Sequence, residues 1–310
     1  MVTGGAGFLG KAVTRTLAER GATDIVVPRS ADFDLTRSDD VEKLFAEVNP
    51  ELVIHLAAHV GGIGANMERP AELYLTNLLM GTYVIEQARL REVDKTVIVG
   101  TICSYPKFAP IPFSEDSLWD GYPEETNAPY GVAKKALLVH AQANRMQYGQ
   151  NAIYLLPTNL YGPGDKFNAK VSHVIPALIK KCVEAIESGA PNIEVWGTGS
   201  ATREFLYVDD AAEGIVAAAE TYNDPEPLNL GSNHEVPIKE LVETIAELAG
   251  FRGEIIWDAS KPDGQPRRAV DPSRAEAAFD FHARTDLRDG LKATIDWYVD
   301  HRVEAEAVTL

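Results

Sequence analysis

Apolar residues in the first half of the chain fall into two alternating kinds of run. Ile25-Val26-Val27, Leu52-Val53-Ile54-His55-Leu56, Val97-Ile98-Val99 and Ala152-Ile153-Tyr154-Leu155-Leu156 are short and continuous, and they read as strands. Between them, residues 10–20, 39–48, 71–91 and 131–148 carry apolar positions at helical spacing. Near-continuous apolar strands that alternate with helices predict a parallel sheet covered on both faces, a Rossmann-type doubly wound α/β fold. The second half is less regular. Helices are expected over 173–188 and 236–250, with short strands at Ile193-Glu194-Val195-Trp196 and Ile255-Ile256-Trp257, in a smaller mixed α/β domain. The boundary is placed near 165, after Tyr161-Gly162-Pro163-Gly164, giving domains 1–165 and, mainly, 166–310. Segment 203–233 is expected to return to the first domain, because it holds both Arg203-Glu204-Phe205-Leu206-Tyr207-Val208 and Asn229-Leu230-Gly231.

Composition narrows the partners. With 310 residues, 45% hydrophobic and 24% charged, the chain can bury a large core. A net charge of −17 argues against nucleic acid or an anionic membrane, and it requires that an anionic ligand be met by local Arg, Lys or backbone N–H groups. The two cysteines, Cys103 and Cys182, are too few for a disulfide framework and fit a reducing cytoplasm. Apolar stretches fall short of the ~18 residues of a membrane span. No signal peptide is expected from Met1-Val2-Thr3-Gly4, and no zinc-like ligand spacing is found.

Glycines at 4, 7 and 10, in Gly4-Gly5-Ala6-Gly7-Phe8-Leu9-Gly10, fall in the first strand–helix turn. Glycine there permits a tight turn and close approach of backbone to a pyrophosphate, which would rest on the N-terminus of the helix beginning at Phe8 and Leu9. Three residues precede the loop, so the first strand is expected to be short, and a native start upstream of Met1 is left open. After the second strand, Arg29 stands where an NAD site would carry a carboxylate; an arginine there suits the 2′-phosphate of NADP(H). Asp34 and Leu35 are candidates to flank the adenine, although an Asp near a turn is often a cap.

Thr101 follows the apolar run ending at Val99, and Tyr130 and Lys134 stand four apart after the helix-start signal Asn127-Ala128-Pro129. That spacing puts phenol and ammonium on one helix face. An ammonium beside a phenol favours the phenolate, which would make Tyr130 a usable proton donor and acceptor near neutral pH.

These motifs, with His55-Leu56-Ala57-Ala58, Asn77 and Arg203-Glu204-Phe205-Leu206-Tyr207-Val208-Asp209-Asp210, resemble the extended short-chain dehydrogenase/reductase family from Thr3 to about Tyr298. Within it, Val60-Gly61-Gly62-Ile63, Cys103 with Tyr105-Pro106-Lys107, Ser172-His173-Val174-Ile175-Pro176 and Lys261-Pro262-Asp263-Gly264-Gln265-Pro266-Arg267-Arg268 resemble the enzymes that epimerise and reduce GDP-4-keto-6-deoxy-D-mannose. Thr101 stands where the family usually has Ser and keeps the hydroxyl. The resemblance implies a catalytic set of Thr101, Cys103, Tyr130, Lys134 and His173. It implies a dinucleotide site of Gly4, Gly7, Phe8, Leu9, Gly10, Leu56, Ala57, Ala58, Asn77, Pro157, Asn159, Leu160 and His173, with Tyr130 and Lys134.

A 4-ketone acidifies C3 and C5. Cys103 would act as base and His173 as acid, while Thr101 and Tyr130 hold the enolate oxygen. A thiol must first become a thiolate, and a nearby imidazolium would help. NADPH would then reduce C4. Standing alone, Cys103 reads as a small buried hydrophobe and His173 as a helix-start residue; Cys182 has no motif around it and reads as structural. For the GDP-sugar, Arg203 leads the candidates, followed by Lys181, Arg267 and Arg268, with Trp196 for stacking and Asn159 and Asp263 as polar contacts. A related nucleotide 4-keto-deoxy sugar, an NAD-retaining epimerase or dehydratase, and a non-catalytic nucleotide-sugar-binding protein remain alternatives. A homodimer through a four-helix bundle of helices 71–91 and 131–148 is expected from the resemblance.

Overall fold

The computed structural model describes residues 1–168, 172–261 and 264–307. Five parallel strands form the main sheet: β1 (Val2–Thr3), β2 (Leu52–His55), β3 (Lys95–Val99), β4 (Ala152–Pro157) and, from far along the chain, β8 (Leu228–Leu230). Both faces are buried, as the unbroken apolar runs require. In β3, Val97 and Val99 enter one core and Ile98 the opposite one; in β4, Ile153 and Leu155 oppose Tyr154 and Leu156. Helices α1 (Phe8–Glu19) and α7 (Val208–Thr221) cover the first face. Helices α2 (Ser38–Val48), α3 (Ile63–Glu68), α4 (Pro70–Leu90) and α5 (Ala128–Tyr148) belong to the other side, with α4 packed along α5. Helix α5 starts on a proline in its first turn and stops at Gly149, whose φ of 74° supplies the left-handed cap.

The expected strand at Ile25–Val27 does not form a ladder. The segment runs beside β1 and accepts one bond, from Val2 N–H to Val26 O at 2.9 Å. With β1 two residues long and Pro28 lacking an N–H, there is little for a ladder to pair with.

The chain leaves the main sheet after Pro157, ahead of the boundary expected near 165. β5 (Asn159–Tyr161) already pairs with β7 (Thr202–Tyr207), which is flanked by β11 (Arg267–Arg268) and, antiparallel, by β9 (Glu235–Pro237). A parallel pair, β6 (Asn192–Trp196) and β10 (Glu254–Asp258), lies beside it. Helices α6 (Val174–Ser188), α8 (Ile238–Ala249) and α10 (Leu287–Asp300) close a second core around Ile179, Cys182, Leu241, Ile245 and Tyr298. Two short helices complete the chain: α9 (Ser273–Phe279), whose Ala275 joins the first core, and α11 (Arg302–Ala307), whose Ala305 joins the second. From segment 203–233, α7 packs on α1 and β3, and β8 pairs with β4.

Candidate active site

The glycine loop is shaped by close approaches that a side chain would prevent. A Cβ on Gly4, whose φ is 73°, would lie 2.6 Å from Ala57 N; one on Gly10 would lie 2.1 Å from Gly4 O. The loop is thereby pressed between the end of β2 and the start of α1. Gly7 begins α1 in extended conformation with no side-chain cap, which leaves the first-turn N–H groups of Phe8, Leu9 and Gly10 to a ligand. Arg29 is exposed beyond Pro28, and among the described residues it pairs with no carboxylate. Asp34 instead accepts from Thr36 N–H (2.9 Å) and Thr36 Oγ1 (2.7 Å), a turn-closing role that lowers its pKa. Leu35 packs against the Val41–Phe45 side of the core. Asn77 is likewise turned to the protein: it donates to His59 O and Leu73 O and accepts from His59 N–H, so it clamps the loop holding Leu56, Ala57 and Ala58.

Thr101, Cys103 and Tyr130 come together at the end of β3. Thr101 Oγ1 accepts from Cys103 N–H at 3.2 Å and hydrogen-bonds the Tyr130 phenol. The approach of α5 depends on Gly131, where a Cβ would fall 2.3 Å from Cys103 O, and on Ser104 Oγ donating to Gly131 O at 3.0 Å. Lys134, one turn on, is 2% exposed, and Tyr154 holds its carbonyl at 2.7 Å. Burial pushes the Tyr130 pKa up, with the Cys103 sulfur adding and the Thr101 hydrogen bond opposing. Burial alone draws Lys134 down to about 8, and among the described residues no carboxylate pairs with it. The sequence pointed to a phenolate favoured by ammonium. Burial dominates at Tyr130, which is held as a phenol, the form that can donate a proton. A buried, uncompensated lysine behind the tyrosine fits hydroxyl groups of a bound dinucleotide. Beneath it, His55 Nδ1 shares a 2.7 Å bond with Thr3 Oγ1 while its Nε2 is buried without a partner; burial and then Lys134 lower His55 to about 3.

Cys103 is half-buried, and its charged neighbour is Arg268, whose guanidinium NH2 lies 3.4 Å from Sγ. The sequence reading looked to an imidazolium for that place. His173 is the exposed residue just before α6, with no side-chain cap bond, and its neighbour Ser172 lies against the loop at Gly62.

Where the chain passes from β4 into β5, Asn159 Nδ2 donates to Glu204 O at 2.8 Å, Pro157 is buried, and Leu160 rests partly on the first core. Lys181 Nζ donates to Glu194 O at 2.8 Å, and Trp196, 62% exposed, carries Lys261 Nζ 5.5 Å above its ring. Arg203 lies opposite Arg268 in the β7–β11 register and donates to Thr202 O. Arg267 differs from expectation: Glu235 holds it through two bonds of 3.0 and 2.6 Å, so its charge is compensated before any phosphate arrives. Asp263 lies outside the described residues. Sequence reasoning missed Glu204, the buried carboxylate tying these strands together, which stands beside Arg203 at the head of the apolar Phe205-Leu206.

A glycine loop opening onto α1 and a buried Tyr130–Lys134 pair beside Thr101 define a dinucleotide-dependent Rossmann enzyme. The chain belongs to the NAD dependent epimerase/dehydratase family, whose model matches residues 1–231. It is 45% identical over 306 residues to the probable GDP-L-fucose synthase 1 of Oryza sativa subsp. japonica, spanning 98% of this chain and 93% of that protein. The GDP-L-fucose synthase of Escherichia coli (strain K12) is 36% identical over 97% of this chain and 96% of its own. A crystal structure of a GDP-L-fucose synthetase from Naegleria fowleri bound to NADP superposes with a TM-score of 0.90 at 29% identity, over 98% of this chain and 95% of that one.

Proposed function

We propose that the chain converts GDP-4-keto-6-deoxy-D-mannose to GDP-L-fucose by 3,5-epimerisation followed by NADPH-dependent 4-reduction. The observation that carries this reading is the meeting of Thr101, Cys103 and Tyr130 at one strand end, with a thiol added to the hydroxyl–phenol pair that reduction needs. The names of the relatives and the NADP-bound neighbour support the substrate and cofactor. Thr101 and Tyr130 would hold the C4 oxygen. Cys103 would remove the proton from C3 and His173 would return one to the opposite face; Cys103 would then release its proton to solvent and His173 take one up, so that the same pair can invert C5. NADPH, when bound, supplies the hydride for C4; Tyr130, kept protonated by burial, gives its proton to the resulting alkoxide oxygen. Gly4, Gly7 and Gly10 with the α1 N-terminus would hold the pyrophosphate of the cofactor, Arg29 its 2′-phosphate, and Lys134 its ribose. Arg203 and Trp196 are the proposed contacts of the GDP moiety. Residues 1–165 with the returning segment would form the cofactor domain and the rest, mainly, the substrate domain. Exposed apolar side chains on α4 and α5, including Leu75, Val139 and Met146, favour a homodimer through these helices. A cytoplasmic location is consistent with two free thiols, and no helix of the described residues is long and apolar enough to cross a membrane.

The test mixes enzyme, NADPH and GDP-4-keto-6-deoxy-D-mannose in deuterated water. Absorbance at 340 nm should fall and the product should carry deuterium at C3 and C5. Absorbance that holds steady sinks the reductase assignment; a Cys103→Ser variant that exchanges both protons at the wild-type rate removes the thiol as base.

A further inference from the structure

A short strap, residues 265–271, lies across the loop that leaves Cys103. Gln265 Nε2 donates to Lys107 O at 2.9 Å, Phe113 N–H to Ala269 O at 2.8 Å, and Asp271 N–H to Phe113 O at 2.9 Å. On its other side the strap is fixed to β7: Thr202 N–H donates to Pro266 O at 2.8 Å, and Val270 N–H to the Glu204 carboxylate at 2.7 Å. Alternation along β11 sends neighbouring arginines to opposite sides. Arg267 goes to Glu235, whereas Arg268 goes inward, with NH2 3.4 Å from Cys103 Sγ and Nε buried and unpartnered. Tyr130 from α5 and Arg268 from β11 both face the sulfur. A guanidinium stays charged at any working pH and has no acceptor capacity, so its contact with sulfur is strongest when the sulfur is an anion.

We propose that Arg268 is a positioning residue for the epimerisation, the cation that holds Cys103 as a thiolate aimed at the substrate. The inference rests on the reading of Cys103 as the base, yet it concerns a property of the thiol that exists without substrate. It also separates Arg268 from the role of phosphate anchor that its charge alone suggests.

Iodoacetamide alkylation of the whole enzyme, followed by mass spectrometry of the peptide carrying Cys103 from about pH 6 to 10, tests it. Removing a stabilising cation shrinks the thiolate population but leaves each thiolate more nucleophilic, so the two effects partly cancel at neutral pH. Arg268→Gln should therefore be alkylated about threefold or more slowly at pH 7 and faster than wild type near pH 10. Arg268→Lys should restore much of the wild-type profile, and far-UV circular dichroism of both variants should match wild type. Profiles that superpose for wild type and Arg268→Gln overturn the proposal, as does a raised KM for the GDP-sugar with alkylation unchanged, the mark of a phosphate anchor. If the profile moves but wild type fails to exchange C3 and C5, the thiolate assignment stands and the proposed reaction falls.

Discussion

At the scale of single residues, Lys134 has the clearest energetic consequence. Its folded pKa, about 8, lies below the 10.5 of an exposed lysine. Between these values the unfolded chain binds the extra proton and the folded chain does not, so stability rises with pH across this window. Below pH 8 the buried ammonium costs on the order of 3 kcal/mol, and the cost fades towards pH 10.5. Lys134→Met should accordingly raise the melting temperature of the cofactor-free enzyme at pH 7, with the gain shrinking as pH climbs from 8 to 10.5. A gain that is the same at pH 7 and pH 10 would show that charge burial is not its origin. The same variant should lose reductase activity by on the order of a hundredfold, because Tyr130 would face the cofactor without its cation. A site that lowers stability where activity needs it is a common arrangement at reaction centres. Tyr130→Phe should retain NADPH binding and lose turnover by a similar factor, measured by titration of cofactor fluorescence beside the 340 nm assay.

Among the elements, the loop-to-helix turn at residues 4–10 sets a geometric limit. Gly10→Ala would place its methyl 2.1 Å from Gly4 O and 2.5 Å from Gly5 Cα, backbone atoms that cannot step aside. The helix must shift from the loop, at about 1–3 kcal/mol, and NADPH affinity should fall by tenfold or more. Gly64→Ala, in α3 with nothing within 4 Å of the added methyl, is the control and should be neutral or slightly stabilising; equal NADPH affinities for the two variants would undo the account of the loop. Elements of this kind were legible in the sequence wherever period and punctuation agreed. α4 and α5 carry apolar spacing bounded by proline at the start, α5 and α8 end on glycine, and β2, β3 and β4 are unbroken apolar runs. The strand at Ile25–Val27 was misread because apolar composition does not reveal that its neighbour offers a single donor. Thr101, Tyr130 and Lys134 were legible through spacing on one helix and one strand end. The choice between Arg267 and Arg268 was not, because it depends on which face of a two-residue strand meets the thiol, and a long-range partner sets that register. The protonated state of Tyr130 was also hidden, since burial is a property of the packed molecule.

Across the whole molecule, the cores on the two faces of the main sheet and the core around Ile179 and Tyr298 meet at Glu204, next to Leu206, Phe205 and Val270. This fully buried carboxylate accepts from Asn233 N–H (2.9 Å), Val270 N–H (2.7 Å) and Ser232 Oγ (3.4 Å), while its backbone carbonyl accepts from Asn159 Nδ2. One residue of β7 thus ties the crossing after β4, the turn after β8 and the strap bearing Arg268. Burial raises its pKa and the backbone donors counter that rise. A carboxylate can receive all these donors at once, whereas an amide must turn an N–H towards one of them. Glu204→Gln should therefore destabilise the protein by about 1–3 kcal/mol, read from urea unfolding. The loss should fall on the side of the molecule that carries the strap. NADPH affinity should stay near wild type, because among the described residues the donors to Glu204 come from Thr158, Asn159, Ser232, Asn233 and Val270, and none from the glycine loop. KM for the GDP-sugar should rise, and Cys103 alkylation should move in the direction expected for Arg268→Gln. A Glu204→Gln enzyme that loses NADPH and sugar nucleotide affinity in equal measure would mean that Glu204 supports the fold as a whole and does not specifically brace the strap over the thiol.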